Sequence, residues 1–133
     1  MFLRLSLLII YAAIVSLTEG YLAERYPPFI VTSPASGQVF KHGDSIQVTW
    51  ELVPGTRFPL YGYAAARTAK TVGGLLKSDA SKTGSYVKEI DTHLSFLDFS
   101  YTWTVDNKTQ PGVYRFGIGF FYHEASPTFH ITD

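Results

Sequence analysis

Residues 45–52 read SIQVTWEL, in which Ile46, Val48 and Trp50 are apolar while Gln47, Thr49 and Glu51 between them are polar. A period of two is what a half-buried strand requires, because successive side chains leave the pleat on opposite sides. A helix would need apolar residues three and four apart. The design returns at 99–105, FSYTWTV, with Phe99, Tyr101, Trp103 and Val105 on one face. It returns again in VYRFGIGFFY, residues 113–122, through Tyr114, Phe116, Ile118 and Phe120. Gly117 and Gly119 fall on the opposite face of that segment, where a bulge or a close neighbour is expected.

Working outward, shorter strands are expected at Phe29–Thr32, Ser85–Asp91 and Thr128–Thr132. The strings SPASG, KHGD, VPGTRFP, SKTG and DNKTQPG lie between the segments and carry turn chemistry. Short strands at this spacing predict an all-β sandwich. Lys41, His42 and Asp44 gather around Gly43 and read as the bend that feeds Ser45, not as a site. Residues 60–76, LYGYAAARTAKTVGGLL, fit the pattern least. Gly62, Gly73 and Gly74 work against a helix there, so a strand near Leu60–Ala66 is expected, followed by an edge strand or loop.

The alternation nominates a core of Ile46, Val48, Trp50, Tyr101, Trp103, Tyr114, Phe116, Ile118 and Phe129. It expects one tryptophan from each sheet. The opposing reading makes the two indoles sugar-stacking platforms.

The N-terminus has the build of a secretory signal. MFLR is basic, LSLLIIYAAIVSL carries no charge, and TEG supplies small residues for cleavage after Gly20. A membrane-spanning helix needs roughly 20 apolar residues, more than this run offers. The expected organisation is a signal at 1–20, an extended lead-in at 21–28 and one domain at 29–133. The tail SPTFHITD is polar, unlike a GPI signal. A soluble product, secreted to the extracellular space or held in a wall without a membrane span, is the expectation.

The chain has 11 basic and 11 acidic residues. Loss of the signal removes one of each, Arg4 and Glu19, so nothing favours nucleic acid as a partner. About 113 residues remain, one small domain, with no cysteine to staple it. The core must hold the fold unaided, and 16% aromatic residues supply the material.

The same residues carry a family likeness. FIVTSPASGQVFKHGDSIQVTW, residues 29–50, resembles the opening of the fungal Kre/Knh domain, named from killer-toxin-resistance proteins involved in cell-wall β-1,6-glucan synthesis. The matching positions are Val31-Thr32-Ser33-Pro34, Gly37, Gly43 and Val48-Thr49-Trp50. Tyr101 to Val105 looks like the family's Tyr-x-Trp-x-Val, and Pro111, Gly112 and Tyr114 look like its Pro-Gly-x-Tyr. Ser126, Phe129 and Ile131 look like its closing motif. The resemblance implies an immunoglobulin/fibronectin-III-like β-sandwich of about seven strands and a secreted role in fungal cell-wall organisation. It implies cell-wall polysaccharide (β-glucan) or wall proteins as partners. It brings no catalytic residues to carry over.

Chemistry-bearing constellations are sparse. The histidines His42, His93, His123 and His130 have no metal spacing, and no serine sits in a nucleophile elbow. A glycosidase needs paired carboxyls in a cleft, whereas the acids here mostly fall at turns or outward strand positions. No catalytic residue, cofactor or metal is expected. NKT at 107–109 is an N-glycosylation sequon in a turn, which nominates Asn107. The alternative is a turn asparagine chosen for its backbone tolerance. A ligand face, if one exists, draws on the off-face aromatics Tyr61, Tyr63, Phe121 and Tyr122, with Arg67 or Arg115, which present flat surfaces and donors. The rival function is a small secreted effector that binds a partner protein through a sheet edge or loop face.

Overall fold

A computed structural model describes residues 27–133. The expected signal and residues 21–26 of the lead-in lie outside the described residues. The segment that opened the sequence reading becomes Ser45–Leu52 (β3), whose Ile46, Val48 and Trp50 are buried while Gln47 and Glu51 are exposed. It lies between Phe29–Ser33 (β1) and Ser100–Thr104 (β6) in an antiparallel three-stranded sheet. The second sheet runs in the order Val39–Lys41 (β2), Phe129–Thr132 (β9), Gly112–Ile118 (β7), Lys70–Lys77 (β4) and Lys88–Ser95 (β5). Glu124–Ala125 (β8) also pairs with β7.

The chain is an immunoglobulin/fibronectin-III-like β-sandwich. Phe29, Val31, Val48 and Trp103 of the small sheet share one buried cluster with Leu75, Leu94, Phe116, Ile118 and Phe129 of the large one. The layers meet at Trp103 and Phe116, whose ring centroids are 6.5 Å apart. At the β6–β7 corner the Tyr114 hydroxyl donates to the Gln110 carbonyl at 2.6 Å, the tyrosine corner typical of such sandwiches. The Lys41–Asp44 cluster is a bend. Gly43 sits at φ +92°, and the Lys41 amide donates to the Asp44 carboxylate at 2.8 Å.

Several expectations are corrected. There are nine strands among the described residues, because β2 and β8 are short additions to the expected seven. Trp50 and Trp103 are both buried, but they belong to one sheet, where Trp103 pairs with Ile46. Alternation tells which way a side chain faces, not which strand lies beside it. Tyr101 reaches only the margin of the core. Phe99 ends a 3-10 turn at φ 58°. Phe120 lies beyond the reversal at Gly119 and is 40% exposed.

Residues 60–69 form turns in place of a strand. The strand follows as β4, and it is interior, between β7 and β5. Its second face is covered because the connection after it folds back over the sheet. Tyr86 lies where a Cβ on Gly74 or Gly117 would stand, at 2.9 and 3.1 Å, and its hydroxyl donates to the Gly119 carbonyl at 2.9 Å. Ser85 and Tyr86 are spent on that crossing, so β5 begins at Lys88 and not at Ser85.

β8 and β9 share one side of β7 and are joined through Ser126. Its Oγ accepts the Phe116 amide at 2.9 Å and donates to the Pro127 carbonyl, while its own amide donates to the Phe116 carbonyl. Ser126→Ala would strand a buried amide and is expected to cost about 1–3 kcal/mol. Urea unfolding measures this, and an unchanged midpoint would contradict it.

Candidate functional site

Two connections meet at one end of the sandwich. The β3–β4 connection turns at Leu60, whose carbonyl accepts the amides of Tyr63 and Ala64, and passes Gly62 at φ +87°. The β7–β8 connection turns at Gly119, whose amide donates to the Val72 carbonyl at 2.9 Å. The Gly62 carbonyl accepts both Phe121 N–H at 2.9 Å and Tyr122 N–H at 3.1 Å, which locks the two loops together. A side chain at Gly62 would strike the Tyr122 ring at 2.6 Å, so the close approach depends on glycine.

This lock sorts the expected ligand-face residues. Tyr63 is buried, 3% exposed, and donates to Glu124 Oε2 at 2.6 Å. It is an anchor, a correction to its place on the ligand face. In a strand Tyr61 and Tyr63 would share a face, but in a turn they part. Tyr122 is half-buried, its ring 5.9 Å from that of Tyr63. Tyr61 and Phe121 project outward, 77% and 79% exposed. Arg67 is exposed further along the first loop.

Arg115 lies apart from that pair. Tyr114 and Phe116 are in the core, so Arg115 faces the outer side of the large sheet. There it lines a cavity of about 130 Å³ with Leu76, Lys82, His123 and Glu124. Lys82 Nζ and Glu124 Oε2 form an ion pair across this cavity at 3.0 Å.

Tyr61 and Phe121 present apolar faces on a support that is already ordered. Aromatic side chains on rigid loops offer large contact area at low entropic cost. Among the described residues no group of three or more His, Asp or Glu side chains is placed to hold a metal ion.

Asn107 is exposed in the β6–β7 turn. The turn is built by Asp106, whose carboxylate accepts the Lys108 and Thr109 amides and the Thr109 hydroxyl, and pairs with Lys88 Nζ at 2.7 Å. His42 Nε2 reaches the Thr109 carbonyl at 2.8 Å and ties the first bend to this turn. Hydrogen bonds from Lys88 and Thr109 bring the Asp106 carboxyl down to about 2. Its folded pKa lies below the unfolded value near 3.9, so its stabilisation is complete above that value and lost as pH falls through about 2. Asp106→Asn is therefore expected to flatten the acid limb of the stability–pH curve between about pH 4 and 2. An identical limb in both proteins would contradict this.

No family model matches the chain, and no curated protein matches it. Among solved structures it is similar to the fibronectin(III)-like modules of Clostridium thermocellum CbhA, at 14% identity and a TM-score of 0.35. That alignment covers 77% of this chain and 93% of the module. A likeness at that level says nothing about what the chain binds.

Proposed function

We propose that this protein is a secreted, non-catalytic binding module that takes part in fungal cell-wall organisation by gripping wall β-glucan with Tyr61 and Phe121. The observation that carries the reading is the exposure of these two rings, 77% and 79%, on loops pinned to each other by main-chain hydrogen bonds. Rings held on rigid loops supply contact area at low entropic cost, and a pyranose ring offers a matching apolar face. The likeness of residues 29–50 and 101–131 to the Kre/Knh domain supports the wall as the place of action. Wall proteins are the second class of partner, and Asn107 is the proposed N-glycan acceptor.

The test is depletion of the purified protein by insoluble β-glucan, chitin and whole walls. The wild type is expected to be retained on β-glucan. The double variant Tyr61→Ala/Phe121→Ala should lose retention by about tenfold or more, the result of about 1.4 kcal/mol. Its unfolding midpoint should not move, since neither ring is in the core. Absence of retention, with capture of one defined protein, would favour the effector reading. Equal retention of the double variant would remove these rings from the site, and release of reducing sugar would overturn the non-catalytic assignment.

A further inference from the structure

The small sheet ends at β6, and β6 differs from the other edge strands. The Trp50 amide donates to the Phe99 carbonyl and the Val105 amide to the Asp44 carbonyl. In an antiparallel ladder the inward-bonded residues alternate, so Phe99, Tyr101, Trp103 and Val105 serve β3. The main-chain groups of Ser100, Thr102 and Thr104 face the other way. Among the described residues no segment bonds them.

The other three edges carry protection of the usual kinds. β1 follows Pro27-Pro28, has an irregular register after Val31 and runs into Pro34. β2 has three residues, one of them Lys41. β5 displays Lys88, Glu89, Asp91 and His93. β6, SYTWT, has no charge, proline or glycine, and its register with β3 is unbroken.

We propose that β6 pairs antiparallel with β6 of a second copy of this chain, about a two-fold axis at Thr102. Thr102 then faces its own image, and Ser100 faces Thr104 of the second copy. These are the residues whose outward groups are free, and each such pair exchanges two main-chain hydrogen bonds. A two-fold interface brings each residue near the axis against itself, so a charge there would repel its image. Here only hydroxyls meet on the outer face, where Thr–Thr pairing is favourable. On the inner face the half-buried Tyr101 would lie opposite Trp103 of the second copy. An unrelated extended peptide would satisfy the same main-chain groups but would not require this self-matching order of hydroxyls. The inference rests on the fold and is independent of glucan binding.

Sedimentation of the purified protein up to about 500 µM tests it, since a dimer must grow with concentration. A dimer is expected, with amide exchange at Ser100, Thr102 and Thr104 slowed about tenfold or more relative to dilute solution. Thr102→Lys places like charges at the axis, and Thr102→Pro removes an outward N–H at an edge position that tolerates proline. Both variants should sediment as monomers, and in dilute solution, where the wild type is also monomeric, Thr102→Lys should keep the wild-type unfolding midpoint. A wild type that stays monomeric throughout this range would overturn the proposal. So would a dimer that survives Thr102→Lys, or capture of an extended peptide by this edge in place of self-pairing.

Discussion

Trp50→Ala is expected to lower the unfolding free energy by about 3–5 kcal/mol. The indole is 2% exposed, and its Nε1–H donates to the Phe96 carbonyl at 2.8 Å. The substitution opens a cavity and leaves that carbonyl only the longer bond from the Phe99 amide, at 3.3 Å. A small domain has about 5–15 kcal/mol in total, and this chain has no cysteine to add a covalent staple. Much of the protein should therefore fail to reach the folded state. Trp50→Phe keeps most of the apolar volume and loses the hydrogen bond, so its loss should be smaller, about 1–3 kcal/mol. Urea unfolding and the yield of folded protein measure both, and an alanine variant with a wild-type midpoint would contradict the buried assignment.

The second large effect is at the loop lock. Gly119 sits at φ +144°, and a Cβ there would lie 1.8 Å from the Tyr122 carbonyl oxygen. That neighbour is main chain and cannot swing aside. Gly119→Ala must open the reversal, breaking the amide bond to Val72 and the bond from Tyr86. A loss of about 3 kcal/mol is expected, and under the proposed glucan reading retention should fall as Phe121 loses its bond to the Gly62 carbonyl. Gly55→Ala is the control. It also has positive φ, +89°, but meets nothing within 4 Å, so only backbone strain of about 1 kcal/mol should appear. Equal melting temperatures for the two variants would contradict the role given to close packing at Gly119.

Much of the fold was legible because β1, β3, β6 and β9 keep one wet face, and a wet face writes alternation into the sequence. β4 has none. Tyr86 covers its outer side, so Gly73, Gly74, Leu75 and Leu76 are all buried and the period disappears. Its position inside the sheet is set by a connection that doubles back, which no local window contains. The exposure of the off-strand aromatics was half legible. Tyr61 and Phe121 stood out as aromatics off the strand pattern, but the turn at Leu60 sends Tyr63 inward to Glu124. Spacing assigns faces only where the backbone is extended. Arg115 lies near these rings in sequence, whereas the fold sets it over a separate cavity.

The most direct test of the ligand face is residue-resolved NMR of the protein titrated with a soluble β-glucan oligosaccharide. Binding through the loop lock predicts shifts concentrated at Tyr61, Gly62, Phe121 and Tyr122, with β6 and the Arg115 cavity unmoved. Shifts centred on either of those places, or no shifts at saturating sugar, would contradict it.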